Sequence, residues 1–301
     1  MALSAPRDRQ KSSGEEAVMT QTMTQLSGAV DQREWSRMDE HLVSLVDSTS
    51  FEADQYRTLR HALERTHAAK KVIGVTSAVP GDGKTTTAIN LAGVLAQAPD
   101  ARILIVDLDL RTPSLGDRLG LTVQSPGLVD LVFDPALTLD GLARRHPQFR
   151  LAVLPAGRAL TVPYEVLKSP RLAELMLQAS RQYDYVILDT PPLAAVQDAR
   201  LIADWVDGFV MVVAAHRTPR KLFEDALNVM DPAKLIGLVF NGDDRRRSDY
   251  HGYYYYGSST GGRRGSGWWR TGNGHESGNG HARRASMLNK AVTAVLGSRW
   301  R

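Results

Sequence analysis

Val72-Ile-Gly-Val-Thr-Ser-Ala-Val-Pro-Gly-Asp-Gly-Lys84-Thr-Thr-Thr87 reads as a buried strand, a glycine-rich turn and the opening of a helix. Gly81 and Gly83 let the backbone curl so that successive N–H groups face one anionic ligand. Pro80 has no N–H, so the cradle runs from Gly81 through Asp82, Gly83, Lys84, Thr85 and Thr86. A helix starting at Thr85 adds the positive end of its dipole, Lys84 reaches the terminal phosphates of a nucleotide, and the Thr85 hydroxyl is a ligand for Mg²⁺. The spacing Ala78-x-x-x-x-Gly83-Lys84-Thr85 carries alanine where glycine usually opens such a loop. A chance Gly-rich turn is the competing reading, and the flanking strand and helix disfavour it.

Outward from this loop, short apolar runs alternate with amphipathic stretches. Strands are predicted at Val72–Thr76, Ile103–Asp107, Leu151–Leu154, Tyr185–Asp189, Phe209–Val213 and Ile236–Phe240. Helices are predicted at Thr85–Ala96, Pro170–Tyr183, Asp198–Trp205 and Pro219–Val229. Strands apolar throughout and separated by helices imply an α/β domain, a doubly wound, mainly parallel sheet of the P-loop NTPase type. In such sheets ligands sit outside the carboxyl ends of the strands. Asp107, Asp109 and Asp189 all fall there. Three carboxylates together are repulsive without a divalent cation, which assigns them to Mg²⁺. A strand-terminal aspartate capping a loop is the alternative, above all for Asp109.

The trio Ala78–Thr86, Asp107-Leu-Asp109-Leu-Arg111 and Asp189-Thr-Pro-Pro192 resembles the bacterial tyrosine kinase family, cytoplasmic ATPase-like kinases of capsule and exopolysaccharide assembly. The likeness extends through Pro155-Ala-Gly157, Lys168-Ser-Pro-Arg171, Asp198 to Gly208 and Gly237-Leu-Val-Phe-Asn241. It implies ATP and Mg²⁺ as ligands. It implies Asp107 as the acid that polarises the acceptor hydroxyl, Lys84, Thr85, Asp109 and Asp189 around phosphates and metal, and Asn241 near the adenine. Asp54-Gln-Tyr-Arg57-Thr-Leu-Arg60 is similar to the family's oligomerisation motif, with Asp in the Glu place. These charges share a helix face, which as physics alone is equally a solvated face. The resemblance further implies a homo-oligomeric ring, a membrane-bound chain-length-determinant protein as activator, a cognate tyrosine phosphatase, and a cytoplasmic location at the inner face of the membrane through that partner.

The flanks differ from the centre. Residues 1–35 lack periodicity and read as disordered; 36–66 carry two helical patterns, the first through Trp35, Met38, Leu42 and Leu45, the second from Phe51 to Thr66. The domain proper is 67–244. Residues 245–284 are rich in Gly, Arg and Tyr and read as a flexible tail, and 285–301 regain the spacing of a short basic amphipathic helix. Tyr250, Tyr253, Tyr254, Tyr255 and Tyr256 are five of the nine tyrosines. A cluster with no core around it fits a phosphoacceptor tail, or else an associating low-complexity segment held by cation–π contacts. Residues 245–301 hold eleven Lys or Arg against two acids, so they carry +9 of the net +4 and the remainder carries −5. The basic pI therefore belongs to the tail, and nucleic-acid binding by the body is not implied. There is no cysteine, which excludes disulfides and thiolate chemistry. No apolar run reaches the roughly 18 residues of a membrane span. Two other functions fit the same loop. A ParA/MinD-like positioning ATPase normally carries an early signature lysine, absent from Val79-Pro-Gly-Asp-Gly-Lys84; a non-catalytic ATP-dependent export scaffold is not distinguished by sequence.

Overall fold

The computed structural model describes residues 34–66, 71–121, 126–193, 198–243 and 291–295. Its centre is one sheet of eight strands: β1 (Val72–Ser77), β2 (Ile103–Asp107), β3 (Arg144–Arg145), β4 (Leu151–Leu154), β5 (Tyr185–Asp189), β6 (Gly208–Ala214), β7 (Leu235–Asp243) and β8 (Ala291–Val295). Their order is β3-β4-β2-β5-β1-β6-β7-β8. The inner strands β4, β2, β5, β1, β6 and β7 run parallel, while β3 and β8 close the two edges antiparallel. The principal helices are α1 (Phe51–Thr66), α2 (Lys84–Ala96), α3 (Pro170–Gln182), α4 (Asp198–Ala203) and α5 (Arg220–Val229). All six strands and four helices expected for the doubly wound domain are present within three residues at each end.

Alternate strand residues feed two cores, because successive side chains leave opposite faces of a strand. Ile73, Val75, Ile103 and Ile105 pack with Ala88, Ile89 and Leu91 of α2 on one side. Val72, Leu104 and Val106 pack with Leu172, Leu175 and Met176 of α3 on the other. The first of these cores also takes in Trp35, Leu42, Leu45, Tyr56, Leu59 and Leu63, so residues 35–66 belong to the domain itself. The side chain of buried Asn90 docks this segment on α2: its Nδ2 donates to the His41 carbonyl (2.9 Å) and its Oδ1 accepts from Ser44 N–H (2.8 Å).

Two helical expectations are corrected. The pattern through Trp35 and Leu45 forms no continuous helix; a 3₁₀ turn at Glu34–Arg37 and one α-turn at Val43–Val46 replace it. Asp39 interrupts it, accepting the His41 N–H (2.9 Å) and pairing with Arg118 (2.8 Å), while its own N–H donates to the Arg118 carbonyl. Within the expected helix over 285–301, the described residues Ala291–Val295 are a strand on β7. β-Branched Val292, Thr293 and Val295 suit an edge strand at least as well as a helix. The remainder of that segment lies outside the described residues, as do the first 33 residues and the tyrosine cluster.

His146 ties the segment at Trp35 to the β3 edge. It is buried, in edge contact with Trp35 (ring centroids 4.6 Å apart), and its Nδ1 accepts the N–H groups of Gln148 and Phe149. Burial lowers its pKa from 6.5 to about 4. The unfolded chain therefore binds the extra proton first, so His146 stabilises fully above about pH 6.5 and loses that contribution as pH falls towards 4. The contribution is on the order of 2 kcal/mol. His146→Gln should flatten the fall of melting temperature between pH 7 and 4.5; an unchanged slope would show that carboxylates alone set it.

Candidate functional site

The phosphate loop leaves β1 at Ala78 and enters α2 at Lys84. Gly81 and Gly83 have φ of 83° and 95°, the left-handed region that glycine adopts without cost. A Cβ on Gly83 would also stand 2.0 Å from Asn241 Nδ2. The turn thus requires glycine both by conformation and by space.

Three residues from the strand ends beyond β1 brace the loop. Asn241, on β7, donates from Nδ2 to the Asp82 carbonyl (2.9 Å). Thr218 donates its hydroxyl to Asp82 Oδ1 (2.8 Å), and Arg217 donates to the Gly81 carbonyl (2.8 Å). Asp82 is almost fully buried and its pKa is raised by burial, with the Thr218 bond opposing. It is a fastening of the loop, and its side chain is turned to the protein.

Across the sheet, Asp107 and Asp189 are direct neighbours in the β2–β5 register, and Asp189 also neighbours Val75 of β1. Lys84 Nζ lies 2.8 Å from Asp109 Oδ2 with both side chains largely buried. Asp109 Oδ1 accepts from the N–H and hydroxyl of Thr112 (3.2 and 3.1 Å). Asp107 accepts three backbone N–H groups, Asp109 on Oδ1 and Ser114 and Leu115 on Oδ2, each at 3.1 Å. The Ser114 hydroxyl is 3.1 Å from the Thr85 hydroxyl. Arg111 closes the loop over this group by pairing with buried Asp198 at the start of α4 (2.7 Å).

Burial raises the Asp107 carboxyl well above the ordinary carboxylate range, and nearby Asp189 pushes it further. Asp189, fully buried, is raised to about 6 by desolvation, with Lys84 opposing. Burial alone would lower Lys84, yet Asp189, Asp109 and Asp107 together hold it above its usual value. Both Asp189 oxygens are buried without a well-formed hydrogen bond. Buried, unsatisfied carboxylate oxygens beside a hydroxyl and a phosphate loop are hard oxygen donors of the kind Mg²⁺ takes, alongside phosphate oxygens and water. Thr85, Asp109 and Asp189 fit such an ion.

The structure thus gathers Gly81, Asp82, Gly83, Lys84, Thr85, Thr86, Asp107, Asp109, Asp189 and Asn241 around one loop. Sequence reasoning missed Arg217, Thr218 and Ser114, which have no motif and reach the loop only through the sheet. Asp54, Arg57 and Arg60 do line one side of α1, but the arginines have partners within the chain. Arg57 bonds Asp54, the Ser48 carbonyl and Gln97; Arg60 bonds Glu64 (2.7 Å) and the Val94 carbonyl (2.9 Å). They clamp α1 to the end of α2.

A glycine loop at the end of β1, opening α2 and flanked by strand-end carboxylates, defines a P-loop nucleotide-binding protein. The AAA domain family matches residues 70–206. The tyrosine-protein kinase YwqD of Bacillus subtilis is 33% identical over 211 residues, 69% of this chain and 88% of that protein. The chain belongs to the bacterial tyrosine-protein kinase family. The succinoglycan biosynthesis transport protein ExoP of Rhizobium meliloti is 34% identical over 200 residues, 64% of this chain but 25% of ExoP. Among solved structures, the kinase domain of VpsO superposes with a TM-score of 0.55 at 30% identity, over 59% of this chain and 86% of that one. Among the described residues no helix is long and apolar enough to cross a membrane.

Proposed function

We propose that this protein is an ATP-dependent protein-tyrosine autokinase that phosphorylates its own cluster Tyr250, Tyr253, Tyr254, Tyr255 and Tyr256 and thereby regulates polysaccharide polymerisation and export. The observation that carries the reading is the buried group Lys84, Asp107, Asp109 and Asp189 beside the phosphate loop, in a chain of this family. Amides from Gly81 to Thr86 and the Lys84 ammonium hold the phosphates, and Thr85, Asp109 and Asp189 hold Mg²⁺. The ion, when bound, neutralises phosphate charge. Asp107 accepts the proton of the incoming tyrosine hydroxyl as its oxygen bonds to the γ-phosphorus and the bond from that phosphorus to the ADP oxygen breaks. Asn241, already fixed beside Gly83, is assigned to the adenine by the family resemblance.

The same reading includes a homo-oligomeric ring in which one tail enters a neighbour's site, with Asp54, Arg57 and Arg60 at the contact, a membrane-bound chain-length-determinant protein as activator, and a cognate tyrosine phosphatase. ExoP supports the partner, since the matched region is a quarter of that transport protein. Location at the inner face of the membrane follows from the partner. Incubation of the full chain with MgATP should yield phosphotyrosine at residues 250–256, and nucleotide turnover without phosphotyrosine would point instead to a positioning or scaffold ATPase. Asp54 is the cleaner probe of assembly, being 61% exposed and bonded only to Arg57 among the contacts above. Light scattering should show Asp54→Ala dissociating the MgATP-bound assembly, and an unchanged mass would remove this surface from the contact.

A further inference from the structure

The parallel strands have a second edge, opposite the phosphate loop, and it is not featureless. A half-open cavity of about 540 Å³ lies there, within the ordinary size range of small-molecule sites. It is formed where β2, β4 and β5 begin: Arg102 precedes β2, Arg150 precedes β4, and Tyr183 caps α3 just before β5. Its lining divides by chemistry. Leu151, Ala152, Phe149 and Tyr183 give an apolar and aromatic wall, while Arg102, Arg145 and Arg150 supply three guanidinium groups. Asp140 is the one carboxylate among the lining residues, and it is spent on Arg145 at 3.7 Å. Arg102 faces Asp184 at 3.5 Å from an exposed position. Arg150 has no ion pair among the described residues.

His146 adds a second, independent observation. It lines the cavity and is 6% exposed. Its Nδ1 accepts two backbone N–H groups, which places the ring proton of the neutral imidazole on Nε2. That Nε2–H is buried with no partner. An unsatisfied buried donor is costly in a native interior, and His146 shares the lining of this cavity with the three arginines and the apolar wall. None of the kinase machinery described above uses any of these groups.

We infer that this cavity binds a phosphate monoester with an aromatic or apolar body, the arginines taking the phosphate and the Phe149–Tyr183 wall taking the body. Guanidinium forks match phosphate oxygens in pairs, and an aromatic ring fits a wall of that composition. The C-terminal end of α3 and Asp140 set a limit on how much negative charge the site accepts, which favours a single phosphate over a polyphosphate. This inference concerns a site remote from the phosphate loop and stands whether or not the chain is a kinase.

The test uses the full chain saturated with MgADP, so that the phosphate loop is filled. Phenyl phosphate is titrated by calorimetry, with inorganic phosphate and phenol as comparisons. Phenyl phosphate should bind at one site, at least tenfold more tightly than either comparison. Arg150→Ala and Arg102→Ala, both at exposed positions, should each weaken it at least fivefold while leaving MgADP affinity unchanged. A synthetic phosphotyrosine peptide spanning residues 248–258 identifies the source. Tighter binding than phenyl phosphate assigns the site to a protein phosphotyrosine, and equal or weaker binding assigns it to a free phosphate ester. No binding of phenyl phosphate, binding equal to inorganic phosphate, or binding indifferent to both arginine variants would overturn the site.

Discussion

Lys84→Met should yield no phosphotyrosine and bind ATP up to about 100-fold more weakly. Removing a charged donor from a phosphate forfeits up to about 3 kcal/mol, and each 1.4 kcal/mol is tenfold in affinity. The structure adds a consequence for the nucleotide-free protein. Lys84 is the cation among Asp107, Asp109 and Asp189, within 2.8 Å of the second. Breaking a buried pair from one side is normally worth about 3–5 kcal/mol. Proton uptake by Asp107 and Asp189, whose pKa values are already raised, offsets part of that cost. The variant should therefore keep its circular dichroism spectrum yet melt several degrees lower, and the deficit should shrink as pH falls towards 6, because without Lys84 opposing it the Asp189 carboxyl takes up its proton above that value. Phosphorylation of the tail persisting in this variant would sink the site assignment; an undiminished melting temperature would show that the ion pair contributes nothing in solution.

The parts of this site that could be read from sequence share one property: their determinants are local. A glycine at positive φ, a lysine at the first helical position and an aspartate ending an apolar run each leave a mark within a few residues. The period-two and period-3.6 patterns located the strands and helices for the same reason. What was not legible depends on distance through the sheet. Thr218 and Asn241 lie 136 and 159 residues from Asp82, and only the β1–β6–β7 order brings them to the loop. The break in the pattern at Asp39 required knowing that Arg118 would meet it. Arg57 and Arg60 were visible as a charged face, yet sequence spacing does not say that both also bond the end of α2 within the same chain. The strand at Ala291–Val295 shows the remaining ambiguity, since a short run of Val, Thr and Ala satisfies either period and pairing with the edge of β7 decides.

Asp107→Asn separates chemistry from binding. If Asp107 takes the acceptor proton, its loss should lower turnover by about 10²–10⁴-fold, the usual range for a general base. The structure bears on how much else would change. An amide offers one acceptor oxygen, so it cannot serve both the Asp109 N–H and the pair from Ser114 and Leu115. The favoured orientation keeps the oxygen on the two-donor side and turns the NH₂ towards Asp109, a loss on the order of 1–3 kcal/mol. Against that, burial and Asp189 already hold this carboxyl well above its ordinary pKa, so removing its charge relieves repulsion in the same cluster. The two effects oppose each other. Stability and MgATP affinity should then move little, affinity staying within about tenfold, because Lys84, Thr85 and the loop amides remain in place. Single-turnover transfer measured beside equilibrium nucleotide binding distinguishes the roles. A large fall in transfer with affinity nearly kept assigns the proton to Asp107. An equal fall in both would make it an organiser of the 107–115 segment, acting on the phosphates through the Asp109–Lys84 pair rather than on the tyrosine.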